Sequence, residues 1–201
     1  MRTELLNGIA QAQPQSQAPM TEQGLYDGEG ERLASIFQQQ KAAFRSAPMP
    51  AAADRIRKLR ALKTAVMRHQ EALAKAVGDD FSCRSRDETM IAEIMTTVQS
   101  INYMLKHVRR WMRPSGRHVN MLFAPAANQV VYQPLGVVGI MVPWNYPIQL
   151  ALVPLATAIC SGNRAMIKMS EFTPATNEAI RTLLAEVFSE DEGAGIEGGI
   201  E

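Results

Sequence analysis

The chain has 201 residues, 46% of them apolar, with 21 Lys or Arg against 20 Asp or Glu and a formal net charge of +1. That length suits one core with appendages, and so even a charge balance argues against a dedicated nucleic-acid or membrane-surface protein. Two cysteines, Cys83 and Cys160, give neither a disulfide framework nor a metal-ligand spacing. No secretory signal and no apolar run long enough to span a bilayer stand out, so the expectation is a soluble, cytoplasmic α/β protein.

Residues 1–30 are rich in Gln, Ala, Pro and Gly without sustained periodicity, the composition of a mostly disordered segment. Residues 31–116 read as a helical unit. ERLASIFQQQKAAF is a short amphipathic helix ended near Pro48 and Pro50, and AAADRIRKLRALKTAVMRHQEALAKAVGDD is a second, with Asp54 near its start and Gly78 near its end. RDETMIAEIMTTVQSINYMLKHVRRWM sets Ile91, Ile94, Met95, Val98, Ile101, Leu105, Val108 and Met112 on one stripe, stopped by Pro114 and Gly116. Over 117–134, the β-prone runs RHVNMLFAP and NQVVYQP predict a β-hairpin.

Residues 135–192 alternate strand, helix, strand, helix. GVVGIMVP is an apolar strand; YPIQLALVPLATAICSG is a buried helix that begins at Pro147, ends at Gly162 and is kinked by Pro154. NRAMIKMS is a second buried strand. TPATNEAIRTLLAEVFSEDE is an amphipathic helix capped by Thr173, with Pro174 first and Ile180, Leu183, Leu184 and Val187 inward. This order makes a βαβ unit with a parallel pair. The tail 193–201, GAGIEGGIE, does not look like a further strand, so the sheet is expected to stop at two strands with an open edge.

Little of the usual chemistry is signalled. There is no GxGxxG after a strand, no P-loop and no HExxH, and His69, His107 and His118 lack ligand spacing, so no metal is expected. The cluster KHVRRWMRPSGRH, with Lys106, Arg109, Arg110, Arg113 and Arg117 around Trp111, reads better as the cationic end of a helix than as a nucleic-acid patch. Arg84 and Arg86 flank Cys83, and Cys160 ends an apolar helix, but neither thiol has the donor-rich turn of a catalytic nucleophile. The strand ends differ. Ligands of α/β sheets bind at the carboxyl ends of strands, and Asn145 follows IMVPW there. Its neutral amide suits a developing oxyanion, or simply a turn. Lys168, Ser170 and Glu171, in IKMSE, end the next strand. A cation and a carboxylate three residues apart can bracket a diol, or be a solvated strand end.

PLGVVGIMVPWNYPIQLALVPLATAICSGNRAMIKMSEFTP resembles the NAD(P)-dependent aldehyde dehydrogenase superfamily, carrying PWNYP, the Gly162–Asn163 pair and KMSEFTP in register. RSRDET, KHVRRWM and QPLGVVGIMVPWNYP are most similar to the coniferyl aldehyde dehydrogenase branch. The resemblance implies an incomplete aldehyde dehydrogenase fold: N-terminal helices, the hairpin as an oligomerisation arm, and the first βαβα of a Rossmann-like sheet. It implies that a cysteine thiolate attacks an aldehyde, that an Asn holds the oxyanion, that hydride passes to nicotinamide, and that a Glu-activated water releases the acid. Asn145 matches that Asn. Lys168 and Glu171 match the residues that hold the adenosine ribose, with Ser170 beside them, and Pro143 and Trp144 line the cofactor cleft. A Glu at 171 favours NAD over NADP, since it repels a 2′-phosphate. Met169 departs from the family, which usually has Pro there. The family's nucleophilic Cys, general-base Glu and pyrophosphate-binding turn have no match in the sequence. The expectation is therefore an N-terminal portion without turnover alone, with an aldehyde as substrate and homo-oligomerisation in the full-length family; the alternative is a non-catalytic remnant or interaction module.

Overall fold

The computed structural model describes residues 22–189 and 193–196. Its first helix, α1 (Glu22–Ser46), starts ahead of the expected Glu31. Gly24, Gly28 and Gly30 each disfavour helix, but a helix already held further along extends without a new nucleation cost. Residues 1–21, the rest of the segment read as disordered, lie outside the described residues. In α2 (Ala52–Phe81), Leu59, Leu62, Val66, Leu73 and Val77 recur at helical spacing and are fully buried.

The third helix is not uniform. A short α3 (Arg86–Thr89), capped by the Ser85 hydroxyl, passes through a π-helical stretch (Met90–Met95) into α4 (Thr96–Trp111). The expected stripe holds along α4 but not within the wider turn. Ile91 and Met95, expected inside, are exposed, while Ile94, Ile101, Met104 and Val108 are buried. Glu93, in the same wider turn, is buried.

The hairpin is shorter than its sequence promised. β1 (Ser115–Arg117) pairs antiparallel with β2 (Asn128–Val130), and a single 3-10 turn, Met121–Phe123, occupies the apolar run between them. Asn120 sets that turn, its side-chain oxygen accepting the Leu122 N–H at 3.0 Å.

β3 (Val137–Met141), α5 (Pro147–Ser161), β4 (Arg164–Lys168) and α6 (Pro174–Val187) form the expected parallel βαβα unit. The sheet does not stop at two strands as expected: Gly193–Ile196 is a strand, β5, which pairs parallel to β4 and makes the order β3-β4-β5. Its glycines have little strand propensity, yet an open strand edge is a template for pairing. Residues 197–201 of the tail lie outside the described residues. α1 lies against all three strands, with Gln40 buried and donating to the Ala165 carbonyl at 3.1 Å, and α5 packs against β3 and β4.

Both ends of α5 follow the sequence signals. Pro147 is at its start, and Gly162 ends it in a left-handed conformation with φ 87°. Pro154 lies inside it and withholds one helical N–H. For α6 the expectation needs correcting. Thr173 occupies the cap position, but its hydroxyl lies 3.1 Å from the Asn177 amide oxygen instead of capping. The cap is Asp80, at the end of α2, whose carboxylate accepts from the N–H groups of Ala175 (3.0 Å) and Thr176 (2.8 Å) and from the Thr176 hydroxyl (2.6 Å).

Candidate active site

β3 and β4 end side by side. Met141 is paired with Lys168, and the Val142 N–H donates to the Lys168 carbonyl at 2.9 Å. Adjacent strands lie about 4.8 Å apart, so the turns that follow, 142–146 and 169–173, share one carboxyl edge. Asn145 and the Lys168–Glu171 pair are thereby brought to the same edge.

Asn145 is exposed, in the bend between β3 and α5. Its neighbours are held from the other side of the molecule. Trp144 stacks on Phe81, ring centroids 6.2 Å apart, and the Tyr146 ring lies beneath the Arg84 guanidinium at 4.9 Å. The same guanidinium covers Phe81 at 4.4 Å and approaches Glu93 Oε1 at 3.3 Å. Glu93 is fully buried, and its Oε2 accepts from the N–H groups of Ile148 (2.7 Å) and Gln149 (3.2 Å). Burial pushes the Glu93 carboxyl above the ordinary carboxylate range, against the opposing pull of these N–H groups and of Arg84. Pro147 has no N–H, and that of Leu150 reaches the Tyr146 carbonyl at 3.0 Å. The first turn of α5 therefore has all its donors satisfied, two of them by Glu93.

On the second turn, Lys168 Nζ meets Glu171 Oε2 at 3.0 Å, both side chains remaining partly open to solvent. The Glu171 carboxyl is held below its usual value by its own backbone N–H and then by Lys168. Ser170 is placed differently from these two. It is buried; its hydroxyl accepts the Phe172 N–H at 3.3 Å and its carbonyl accepts from Asn177 Nδ2 at 2.7 Å, so it shapes the turn from within. Pro143 and Trp144 are exposed beside Asn145. Met169 is buried in the core, where its side chain anchors the end of β4.

The Gly162–Asn163 pair serves the opposite end of the sheet. Asn163 Oδ1 accepts from the N–H groups of Leu135 (2.7 Å) and Gly136 (3.0 Å), joining the starts of β3 and β4. The two thiols are placed differently. Cys160 is buried in the last turn of α5, about 20 Å along the helix from Asn145 at 1.5 Å per residue. Burial pushes its thiol up. Cys83 is exposed, and the arginines beside it are engaged by carboxylates, Arg84 by Glu93 and Arg86 by Glu71. In the basic cluster, Trp111 stacks on His107 at 5.6 Å, and His107 meets Tyr103 at a tilt, 4.2 Å between ring centroids, along the exposed side of α4. Among the described residues no group of three His, Cys, Asp or Glu side chains is placed to hold a metal, and no helix is long and apolar enough to cross a membrane.

Sequence reading missed Phe81, Arg84 and Glu93. The available signal was a glutamate between Ile91 and Ile94, inside an otherwise apolar face.

A parallel βαβ unit thus brings an exposed amide and a lysine–carboxylate pair to one carboxyl edge, where ligands of open α/β sheets bind. Residues 4–195 match the model of the aldehyde dehydrogenase family, and the chain belongs to that family. It is 49% identical over 170 residues to a probable coniferyl aldehyde dehydrogenase of Pseudomonas aeruginosa, covering 85% of this chain and 36% of that protein. It is 43% identical over 136 residues to a coniferyl aldehyde dehydrogenase of a Pseudomonas species, covering 68% of this chain and 28% of that one. Among solved structures, substrate-bound AldH of Staphylococcus aureus superposes with a TM-score of 0.80 at 30% identity, over 83% of this chain and 36% of that one. PnpE in complex with nicotinamide adenine dinucleotide gives 0.74 at 26%, over 85% and 34%. The chain thus spans about a third of the length of the curated relatives it matches.

Proposed function

We propose that this chain supplies the oxyanion donor and the adenosine-ribose clamp of an NAD-dependent aldehyde dehydrogenase that oxidises an aromatic aldehyde, such as coniferyl aldehyde, to its acid. The observation that carries this reading is the placement of Asn145 and the Lys168–Glu171 pair on one carboxyl edge. The Asn145 amide donates N–H to the oxygen on which charge develops, and loss of one such donor typically costs a hundredfold or more in rate, roughly. The Lys168–Glu171 pair, a donor and an acceptor held at 3.0 Å, fits a vicinal diol, Lys168 giving and Glu171 taking a hydrogen bond. The carboxylate opposes a 2′-phosphate, which favours NAD over NADP. Pro143 and Trp144 wall the cleft, and Ser170 holds the turn that carries Glu171. NAD, when bound, supplies the hydride acceptor. The thiolate and the general base are not assigned to any residue of this chain: neither Cys83 nor Cys160 matches the family's nucleophile motif, and Cys160 is buried. The relatives named for coniferyl aldehyde support the substrate class. A cytoplasmic location and a homo-oligomer complete the reading.

The test pairs turnover with binding. The purified 201-residue chain is expected to show no NAD-dependent oxidation of coniferyl or benzyl aldehyde. Titration of isotope-labelled chain with NAD is expected to shift the amide signals of residues 143–145 and 168–171, and Lys168→Ala to weaken that response. Turnover that survives replacement of both cysteines by serine would refute the missing nucleophile. An NAD titration that leaves those signals unmoved would refute the clamp.

A second reading, an interaction module, is favoured by the turn Met121–Phe123, where Met121 and Leu122 are 87% and 88% exposed. Co-migration of the chain with a full-length relative in size-exclusion chromatography is its expected sign.

A further inference from the structure

An exposed amide that must face one atom needs its backbone fixed from outside the turn, because a solvent-facing bend has few contacts of its own. The bend at 144–146 has such a fixture. Trp144 and Tyr146, on either side of Asn145, are gripped by Phe81 and Arg84. The helix start two residues on is gripped by Glu93, through the N–H groups of Ile148 and Gln149. Arg84 joins the two grips, since it touches Phe81, Tyr146 and Glu93 at once. The second grip comes from within the π-helical stretch, where Glu93 is buried and Ile91 is exposed.

We infer that Glu93, locked by Arg84, is a positioning residue for Asn145: it fixes the first turn of α5 and so the direction in which the Asn145 amide points. This rests on the oxyanion role proposed for Asn145, but the placement is measurable without it. A carboxylate suits the task better than a neutral cap. Its two oxygens divide the work, Oε2 taking both helix N–H groups while Oε1 faces the guanidinium. Glu93→Gln keeps the size and one acceptor, but turns an NH2 group toward Arg84. Removing the guanidinium as well, in Arg84→Met/Glu93→Gln, relieves that conflict.

The experiment is nuclear magnetic resonance on the whole chain, following the Asn145 side-chain NH2 signals, the Trp144 indole N–H in a Trp111→Phe background, and hydrogen exchange at Ile148 and Gln149. In the parent, the Asn145 NH2 signals are expected to be dispersed. In Glu93→Ala they are expected to collapse toward the position of a free amide, with exchange at Ile148 and Gln149 faster by on the order of tenfold or more, as expected for loss of a charge-assisted acceptor. Amides within α2 and α6 keep their protection. Glu93→Gln is expected to fall between, and Arg84→Met/Glu93→Gln to recover dispersion relative to Glu93→Gln. Unmoved Asn145 signals in Glu93→Ala would overturn the inference, as would a uniform loss of protection across α2, α5 and α6, which marks Glu93 as a general core group. If Glu93→Ala does not fold, the comparison of the Gln variant with the double variant decides alone: no recovery overturns the coupling. Failure of the aldehyde-oxidation reading would leave all these signals as stated, so the two outcomes are separable.

Discussion

Replacing Gly162 by alanine tests how tightly the end of α5 is fitted to α2. Gly162 has φ 87°, and a Cβ there would lie 2.7 Å from the Arg55 guanidinium carbon and 2.9 Å from Pro134 Cγ. A left-handed conformation costs an L-residue about 1–2 kcal/mol. The contact adds to this because Arg55 cannot swing away freely. It is buried, its Nε donating to the Pro50 carbonyl and its Nη1 to the Cys160 carbonyl, each at 3.0 Å. Giving up one such charged hydrogen bond costs about 1.5–3 kcal/mol. Together these come to roughly 3–4 kcal/mol, and at about 2–4 °C per kcal/mol for a chain of this size the melting temperature falls by about 6–16 °C. Circular dichroism during heating, with urea unfolding alongside, measures both. Gly162→Asn tolerates the positive φ but keeps the Cβ, and is expected to recover only part of the loss. A Gly162→Ala protein melting within about 2 °C of the parent, a shift below 1 kcal/mol, would refute the reasoning.

Asp80→Ala removes the acceptor for three donors at the start of α6 and is expected to cost about 2 kcal/mol in urea unfolding, with Asp80→Asn costing less. A change under about 0.5 kcal/mol for Ala would count against the cap. For Glu93 the sign follows from its raised carboxyl. The unfolded chain releases this proton near the ordinary value, about 4.3, while the native state still holds it. Its contribution to stability is therefore complete below that value and is lost as pH rises through the raised native one. Urea unfolding at a series of pH values is expected to show the parent losing stability relative to Glu93→Gln across that window; parallel curves would contradict it.

The parts of this fold legible in the sequence were those encoded locally. Pro147 and Gly162 bound α5 because a missing N–H and a tolerance of positive φ act at the residue itself. Asn145 and Lys168–Glu171 were placed on one edge by strand order alone. What was illegible depends on partners distant in the chain. Asp80 caps a helix 96 residues ahead and Glu93 one 55 residues ahead, so no local pattern marks either as a cap. The stripe failed only inside the π-helical stretch, where Ile91 and Met95 are exposed and Glu93 is buried; beyond it Ile101 and Val108 are buried as expected, with Met104 added. β5 was hidden for a related reason: its strand state comes from the exposed hydrogen-bonding edge of β4, and its own glycines argue against it.

One stretch of fourteen residues, from Asp80 to Glu93, reaches the helix starts that follow both turns of the carboxyl edge, Asp80 at α6 and Glu93 at α5. The two turns are therefore clasped by a single bracket as well as joined by the sheet. Asp80 belongs to α2 and Glu93 to the stretch that runs into α4, so the spacing between amide and clamp follows from how these two helices pack on each other. The tolerance of that spacing is set in the helical half of the molecule.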